Sequence, residues 1–407
     1  GRAMVAHRSS LMGTALKIAK KEIKLNNLPE VPFPAIKEAL SGSVRNGLRS
    51  LDQKAQNRKK MLDKHVSGYA PLKLFSVSTG DEETDKAHAP GAIQEGADYI
   101  ELPRISGQGL LDYVVDEKNV SQQGKNTLVA CLDQWGQKNN NYIRLLTNAT
   151  GLCLPELTVL KAHKGIDGLY ADALYSVIFR DINVKRAYID QYFSWLIMAR
   201  AQMMVHSMEG HLLSLTDSYR NFHQVLALQF LQEQWGKKAC TRDDNIVLNY
   251  SFSTNSSIED SFLYEMAQSE MVREIFPRVS IQYEALAENQ NDGCSSNNML
   301  QGLSSLVGVM TQNNVIKLGK TMSQGKGTSL DESFMGLKLA NYLLKSGRGL
   351  NTEIQWQPNG KVIRRARSVL DNSLKLLKSF EKTGFMKGLS QGMLANFSRD
   401  VATVFLY

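Results

Sequence analysis

Arginine, threonine and tyrosine side chains recur in the first half of the chain, each just after a short apolar segment. They are Arg104 in GADYIELPRISGQGLLDYV, Thr147 and Thr150 in YIRLLTNATG, and Tyr175 and Arg180 in DALYSVIFR. Arginine binds phosphate through paired hydrogen bonds, the N–H groups of glycine-rich loops add donors, and a tyrosine ring stacks on a flat aromatic ring. The combination predicts a site for a planar molecule that carries a phosphate, although arginine and threonine in loops also bind other anions.

A second motif, Asp63-Lys-His65-Val-Ser-Gly68, matches the D-x-H-x-x-G signature in which a histidine becomes the lower ligand of cobalt in cobalamin-binding domains. That signature also requires a Gly-Gly pair, and this sequence contains none. His65 precedes the first predicted strand, whereas the cobalt-binding histidine follows a strand. We therefore interpret the motif as a helix end with Gly68 at its C-cap.

Metal ligands and paired cysteines are sparse in the sequence. His206 and His211, with Glu209 between them, are a weak candidate for a metal site, and contacts to a polar substrate are the favoured use. The four cysteines are Cys131, Cys153, Cys240 and Cys294. None belongs to a CxxC pair, so the sequence predicts neither a zinc site nor a disulfide framework. Unpaired thiols are typical of a reducing cytoplasm.

Short apolar segments of strand type alternate with segments of helix type from residue 72 onward. Strands are predicted at 72–77, 99–102, 142–146, 168–171, 203–206 and 246–249, and helices at 91–96 with an upstream extension, 121–138, 154–163, 184–199, 218–235 and 258–275. A spacing of roughly 25 to 45 residues per strand–helix pair is typical of repeated βα units. The predicted fold class is α/β, a TIM (β/α)8 barrel with additional N- and C-terminal helical segments. The polar residues follow strands, where such barrels bind ligands.

The segments that flank this region differ from it in character. The predicted divisions are a basic helical extension at 1–30, the barrel domain at 31–310, and barrel completion with a C-terminal helical clasp at 311–407. Near and within the last segment, helices are predicted at 300–322 and 330–346, and a hairpin at 353–364 around Pro358-Asn359-Gly360.

The composition is that of a folded protein. Of the 407 residues 43% are hydrophobic, which excludes global disorder, and the formal net charge is +8. The basic residues are scattered, without the interleaved aromatic residues of a nucleic-acid surface. No apolar stretch reaches the ~18 residues that span a bilayer. We expect a cytoplasmic protein that binds neither nucleic acid nor membrane, and we interpret residues 1–4 as an addition ahead of the natural start.

Six longer segments resemble the large (alpha) subunit of D-lysine 5,6-aminomutase, in the same order and with similar spacing. They are GADYIELPRISGQGLLDYV, YIRLLTNATGLCLPEL, DALYSVIFRDINVKRAYIDQYFS, ALQFLQEQW, SFLYEMAQSEMVREIFPR and EIQWQPNGKVIRRARSVL. On these segments the chain is identified as a divergent member of that family. The resemblance implies a TIM barrel that binds pyridoxal phosphate at its top face and works with adenosylcobalamin as an amino-acid isomerase.

The resemblance also implies roles for the residues that follow the strands. Arg104 and Arg180 would bind the cofactor phosphate or the substrate carboxylate, and Tyr175 would stack on the pyridine ring. Thr150 occupies the position of a phosphate-binding serine, which keeps the hydroxyl. Thr147 occupies the position of an asparagine, which keeps part of the polarity.

Three positions depart from the family pattern. Gly109 replaces a phosphate-binding serine, so only its backbone N–H is left to bind the cofactor. Gly210 replaces the aspartate that holds the distal ammonium of the substrate, and Gln282 replaces a lysine near the substrate carboxylate. Glu209 is adjacent to Gly210 and could supply a carboxylate, so we expect Glu209 and Gln282 to contact the substrate.

In this family the remaining catalytic groups belong to a second polypeptide. The resemblance therefore implies a small Rossmann-type subunit that holds adenosylcobalamin and carries the lysine for pyridoxal phosphate, in a heterotetramer or a homodimer. The substrate would be a diamino acid such as lysine, in which an amino group moves by one carbon through radical chemistry.

Two other functions stay open. The altered substrate clamp is also expected of a non-catalytic homologue that kept the fold and acts as a binding or regulatory protein. A weaker alternative is a phosphate-binding lyase that uses a lysine of its own, although Lys161 and Lys164 lie on the helix side of their unit.

Overall fold

The structure, a computed structural model, divides the chain into two compact units, Gly1–Asn57 and Arg58–Tyr407. The residues that it describes are 1–64, 71–77, 82–101, 142–148, 153–174, 177, 183–209, 218–252, 258–285, 294–319 and 330–394. Everything said below about structure concerns these residues.

The first unit is helical. It contains α1 (Arg2–Ala6), α2 (Leu11–Ala19) and most of α3 (Phe33–Lys64), whose last residues belong to the second unit. Ser10 begins α2 as its N-cap, because its side-chain oxygen accepts a hydrogen bond from Gly13 N at 3.1 Å.

The second unit contains a closed barrel of eight parallel strands in sequence order. The strands are β1 (Leu72–Ser76), β2 (Tyr99–Glu101), β3 (Arg144–Asn148), β4 (Gly168–Tyr170), β5 (Met204–His206), β6 (Ile246–Phe252), β7 (Ser280–Ala285) and β8 (Val315–Gly319). β1 pairs with both β2 and β8, which closes the ring. Neighbouring parallel strands need crossover connections, which place helices on the outside of the sheet. The predicted TIM-barrel fold class is confirmed.

Helices surround this barrel. Those between or after the strands are α4 (Glu82–Gln94), α5 (Pro155–His163), α6 (Val184–Arg200), α7 (Ser218–Lys238), α8 (Ser261–Ile275), α9 (Cys294–Met310) and α10 (Leu330–Ser346). Beyond them lie α11 (Leu350–Glu353), α12 (Lys361–Thr383) and α13 (Phe385–Ser390). α12 packs on α7 and α8, and its Val369 joins their apolar cluster.

The larger core lies between the strands and the helices. Leu248 and Tyr250 of β6 and Ile281 and Tyr283 of β7 pack there against α7 and α8, and all four are fully buried. Successive side chains of a strand point to opposite faces. Gln282, between Ile281 and Tyr283, therefore points into the barrel.

A smaller apolar cluster fills part of the barrel interior. Its members are Leu74, Tyr99, Leu146, Tyr170, Met208 and Val315, with Leu72 and Met204 at its edge. Strand alternation also places polar side chains inside the barrel, at inward-facing positions closer to the C-terminal ends of the strands. These are Glu101, His206, Gln282, Glu284 and Lys317.

The six predicted strands are confirmed, each to within three residues at its ends. No strand was predicted at β7, and β8 lies in the segment 300–322, which was predicted as helix. That helix prediction is wrong beyond Met310, where α9 ends. A short apolar run in a strand buried on both faces lacks the alternation that would distinguish it from a buried helix.

The hairpin predicted at 353–364 is wrong as well. Pro358-Asn359-Gly360 forms a turn that leads into α12, with Gly360 as the N-cap. A Pro-Asn-Gly triplet indicates a turn without fixing the element that follows. The buried residues of α12 are Val362, Val369, Ser373 and Phe380, which lie on one face of the helix. One buried face is typical of a helix that packs on neighbouring elements, here α7 and α8.

The helices predicted at 91–96 with its extension, 154–163, 184–199, 218–235, 258–275 and 330–346 are confirmed. The helix predicted at 121–138 lies outside the described residues. Of the helices that the structure describes, none combines the length and the apolar character needed to cross a membrane.

Candidate active site

Polar residues occupy the upper half of the barrel interior, where upper denotes the C-terminal ends of the strands. In TIM barrels the interior is usually filled by layers of branched apolar side chains, and ligands bind above them. Here the interior also holds Glu101, His206, Gln282, Glu284 and Lys317, all of them buried. Such groups need partners inside the barrel, and those partners define the site.

Lys317 lies between two glutamates from other strands. Its Nζ is 3.2 Å from Glu101 Oε2 and 3.1 Å from Glu284 Oε1, and the three side chains are 3%, 2% and 4% exposed. Neither of these carboxylate oxygens accepts a hydrogen bond of normal geometry from the described residues, so the contacts are ion pairs. We call these three residues the Lys317 triad.

Four uncharged side chains form a chain of hydrogen bonds next to the triad. Tyr99 Oη is 3.0 Å from His206 Nε2, His206 Nδ1 is 2.8 Å from Gln282 Oε1, and Gln282 Nε2 donates to Tyr170 Oη at 3.0 Å. Because the amide oxygen accepts, the histidine proton lies on Nδ1, and Nε2 accepts from Tyr99.

Burial keeps this chain neutral. It lowers the pKa of His206 to about 4, against a smaller opposing effect of the Gln282 hydrogen bond. Burial also raises the pKa of Tyr99 well above its usual value and raises that of Tyr170. The charges described in this part of the interior are therefore those of the Lys317 triad, whose Nζ lies 5.6 Å from the centre of the Tyr170 ring.

Two more carboxyl groups lie just beyond β4 and β5. Asp172 accepts hydrogen bonds from Leu174 N at 2.8 Å and Met208 N at 3.1 Å, and Glu209 Oε2 is 3.4 Å from Asn249 N. Burial raises the pKa of Asp172, and burial followed by the charge of Asp172 raises the pKa of Glu209 well above its usual value. Both effects favour the protonated form of Glu209.

The structure describes three of the residues predicted from the sequence. Gln282 lies inside the barrel with its amide bonded to His206 and Tyr170. Glu209 is fully buried beside Asp172. Thr147 is buried on β3, on the face opposite the interior residue Leu146, so it points toward the helices. The roles predicted for all three stay predictions.

The other predicted residues lie outside the described part of the chain. They are Arg104, Gly109, Thr150, Tyr175, Arg180 and the departing position Gly210. The strands that lead to them, β2, β3, β4 and, for Gly210, β5, are consecutive neighbours in the barrel. This order brings the ends of those four strands to one side of the upper mouth.

The sequence analysis missed the Lys317 triad. Glu101 stands in the predicted strand YIEL, where alternation with Tyr99 would have placed it on the same face. Lys317 stands in VIKLG, which was predicted as helix. A single lysine in an otherwise apolar strand was the available signal for a buried charge.

Metal coordination has no support in the described residues. No three of their histidine, cysteine, aspartate or glutamate side chains are arranged to hold a metal ion. His206 is instead bonded through both ring nitrogens to Tyr99 and Gln282.

The closed barrel makes this a TIM-barrel protein. Its buried ionisable groups lie below the carboxyl ends of the strands, the end at which proteins of this class bind ligands. The chain belongs to the family described as "D-Lysine 5,6-aminomutase TIM-barrel domain of alpha subunit", whose profile matches residues 1–403. The family resemblance and its predicted fold are confirmed.

Named relatives agree with this membership. The chain is 28% identical over 393 residues to the lysine 5,6-aminomutase alpha subunit of Acetoanaerobium sticklandii, covering 95% of this chain and 76% of that protein. It is 27% identical over 410 residues to the lysine 5,6-aminomutase alpha subunit of Fusobacterium nucleatum subsp. nucleatum, covering 98% and 79%. A shorter match, 28% over 145 residues, covers 33% of this chain and 19% of the D-ornithine 4,5-aminomutase subunit beta of Acetoanaerobium sticklandii.

Replacing Lys317 by methionine tests the ion pairs of the triad. The variant leaves two buried carboxylates without their ammonium partner, and breaking a buried pair in this way costs about 3–5 kcal/mol. We expect a lower midpoint of urea unfolding than in the parent at both pH 7 and pH 8.

The matched control is the triple variant Lys317→Met, Glu101→Gln, Glu284→Gln, which removes all three charges. It should be more stable at pH 8 than Lys317→Met alone. If the single and triple variants lose the same stability at both pH values, the ion pairs do not hold the triad together.

His206 predicts a specific pH dependence of stability. Its folded pKa of about 4 lies below the unfolded value of about 6.5. The unfolded chain therefore takes up a proton first as the pH falls, so stability present above pH ~6.5 is lost toward pH ~4, by at most about 3 kcal/mol.

Comparing His206→Gln with the parent by urea unfolding between pH 4 and pH 8 isolates this contribution. The variant should show a shallower decline below pH ~6.5. His7→Gln, which changes an exposed histidine of the first unit, should keep the slope of the parent. Equal slopes in all three proteins would contradict a neutral, buried His206.

Proposed function

We propose that the chain is the large-subunit-like barrel of an adenosylcobalamin- and pyridoxal-phosphate-dependent aminomutase. The reaction would be a radical 1,2-amino shift on a diamino acid such as lysine. Membership of the aminomutase alpha-subunit family supports the aminomutase class. The structural observation that supports a ligand site is the Lys317 triad. Buried ion pairs reduce stability more often than they add to it, so stability alone does not account for these three charges. Ionisable clusters of this kind concentrate at functional sites.

The upper interior offers acceptors to a ligand. Glu101 Oε2 and Glu284 Oε1 contact Lys317 but accept no hydrogen bond from the described residues, and the buried Asn249 Oδ1 accepts none either. Such oxygens suit the ammonium group of an amino-acid substrate. Oxygen acceptors do not suit a phosphate, which needs donors.

A phosphate would be held by residues of other strand ends. Guanidinium groups of Arg104 and Arg180, the Thr150 hydroxyl and the Gly109 N–H have the chemistry of a phosphate site, and Tyr175 has that of a ring support. The residue types predicted for this mouth therefore suit pyridoxal phosphate.

The chain's own residues would bind and orient rather than react. When bound, pyridoxal phosphate supplies electron delocalisation for the migrating amine and adenosylcobalamin supplies the initiating radical. Arg104 and Arg180 would fix the anionic groups, and Tyr175 would fix the plane of the ring. Below them, Gln282 holds Tyr170 and His206 in one arrangement, which gives the pocket a rigid floor. A closed upper mouth would exclude water.

The proposal requires a partner chain. A small Rossmann-type subunit would hold adenosylcobalamin and supply the lysine for pyridoxal phosphate, in a heterotetramer or as part of a homodimeric assembly. Relatives of this chain carry the designations alpha subunit and subunit beta. The assembly would act in the cytoplasm as an isomerase of amino-acid metabolism.

A second candidate is a non-catalytic barrel that binds a ligand. Two residues expected to replace the substrate clamp are already constrained: Gln282 bonds to His206 and Tyr170, and burial and Asp172 raise the pKa of Glu209. A carboxyl group whose ionised form is disfavoured and an amide that is already bonded hold a charged substrate less well than the aspartate and lysine implied by the resemblance.

Cofactor binding and turnover separate these candidates. The purified chain, alone and mixed with the small cobalamin-binding subunit of a lysine 5,6-aminomutase, is titrated with pyridoxal phosphate and followed by absorbance. Adenosylcobalamin and diamino acids of different length are then added, and products are measured. An aminomutase barrel should bind pyridoxal phosphate and convert at least one diamino acid.

Variants locate the cofactor. Arg104→Gln should weaken pyridoxal phosphate binding about tenfold or more, since a hydrogen bond to a charged group contributes about 1.5–3 kcal/mol. Lys185→Gln, an exposed change on α6, should bind as the parent does. Pyridoxal phosphate binding without turnover on any diamino acid would favour the binding barrel. No binding in either assembly would reject the proposed cofactor.

A further inference from the structure

A cavity lies at the lower end of the barrel, opposite the candidate active site. Its volume is about 630 Å³, within the range of small-molecule sites. The starts of the strands line it, including Leu72, Arg144, Met204 and Val315, together with the last turn of α3. We call it the basal cavity.

We propose that the basal cavity binds a small molecule through a phosphate or carboxylate group, with Arg144 as the residue that receives it. Nothing in the proposed function uses this end of the barrel. The proposal depends on which cations of the cavity wall are already neutralised and which are not.

Arg58 is neutralised. Its Nε donates to Asp167 Oδ1 at 2.8 Å, its Nη2 donates to Ile166 O at 2.8 Å, and its Nη1 donates to Ala201 O. The side chain is 6% exposed, so these bonds fix it as part of the wall. Three of its five N–H groups and its ion pair with Asp167 are thus committed to the wall, so Arg58 is not an unpaired cation of the cavity.

Arg242 is neutralised as well. Its Nε donates to Asp244 Oδ1 at 3.0 Å, and its Nη2 is 2.5 Å from Asp244 Oδ2, a paired contact at the rim. Both side chains are more than half exposed, at 57% and 58%. The pair is a surface ion pair, which adds little to stability, and the charge of Arg242 is already balanced by Asp244.

Arg144 differs from both. It is the first residue of β3, its Cα partner on β2 is the interior residue Tyr99, and its partly buried side chain lines the cavity. The backbone N–H of Arg144 donates to Asp98 O at 3.1 Å, but among the residues that the structure describes none forms a hydrogen bond or ion pair with its guanidinium. A guanidinium withdrawn from water without a partner is unfavourable, and an oxyanion ligand would remove that cost.

Asp167, an acidic group of the cavity wall, is already used. It accepts hydrogen bonds from Arg58, from Tyr142 Oη at 2.6 Å and from Leu145 N at 2.9 Å, which is three donors on two oxygens. Asp63 also lines the cavity, and no ion pair joins it to Arg144 within the described part of the chain. We therefore expect an anion from solution to pair with this guanidinium.

The wall offers one more donor for such an anion. Asn314 lines the cavity, and its Oδ1 accepts from Arg273 Nη1 at 2.7 Å and from Ile281 N at 3.0 Å. These bonds fix the orientation of the amide, so Nδ2 is the atom left to donate. A planar guanidinium and an amide suit an oxyanion with several acceptor oxygens.

The basal cavity is separate from the upper site. Leu72, Met204 and Val315 line the cavity and also pack on the apolar cluster inside the barrel. A ligand bound to Arg144 would therefore reach neither the Lys317 triad nor the upper mouth. Its role would be to stabilise or regulate the barrel and not to react.

Anion-dependent thermal stability and calorimetric titration test the proposal on the full chain. Inorganic phosphate and citrate represent the two sources of the anionic group, and chloride at equal ionic strength is the reference. We expect phosphate or citrate, or both, to raise the melting temperature above chloride. Arg144→Gln should weaken that binding about tenfold or more.

Two variants sharpen this experiment. Arg242→Gln removes a rim cation that Asp244 already neutralises, so it should keep the effect that Arg144→Gln loses. Arg144→Lys keeps the charge and should retain part of the binding.

The stability of Arg144→Gln without added anion is a second readout. Removing a partly buried cation without a partner should leave the melting temperature unchanged or raise it. The proposal is overturned if neither phosphate nor citrate exceeds chloride, or if Arg144→Gln responds as the parent does. It is also overturned if Arg144→Gln is destabilised without anion while Arg144→Lys is not, because Arg144 would then be a structural cation.

Discussion

One ammonium group shared by two buried carboxylates constrains the upper barrel. Lys317 on β8 reaches Glu284 on the adjacent β7 and Glu101 on β2, with β1 between β8 and β2. The two ion pairs therefore connect β7 and β8 with β2, across the junction at which β8 pairs with β1. An apolar layer of equal volume would stabilise the barrel as well or better, since desolvation of buried ions offsets most of their attraction. We infer that ligand chemistry above the triad is the better explanation for its charges.

The neutral chain of hydrogen bonds next to the triad follows from the same constraint. Burial keeps His206 uncharged, so no further cation competes with Lys317 for the glutamates. Gln282 faces the same interior as Glu284, two residues further along β7. The lysine that the family resemblance implies at position 282 would add a second ammonium there and balance both carboxylates. Glutamine leaves one ammonium for two carboxylates, which makes the interior more receptive to a cationic group.

The limits of the sequence analysis have physical causes that differ from residue to residue. The alternation of strand and helix segments predicted the barrel because each βα unit carries its own local pattern. Lys317 was missed because VIKLG, buried on both faces, has no alternation to indicate a strand. The raised pKa of Glu209 was not predictable, since it depends on burial and on the charge of Asp172, which only the fold brings near. The predicted phosphate residues Arg104, Thr150 and Arg180 lie outside the described part and stay predictions.

The adjacent strands β2 and β3 connect the two ends of the barrel. Arg144 begins β3 at the basal cavity, whereas Glu101, at the upper end of the paired strand β2, belongs to the triad. An anion bound to Arg144 would contact the start of β3, a strand that is hydrogen-bonded to β2 and to β4 in the closed barrel. Coupling between distant sites requires an element with two discrete arrangements. A strand held on both sides offers one arrangement, so a basal anion is expected to stabilise the barrel that positions the upper site without switching its geometry.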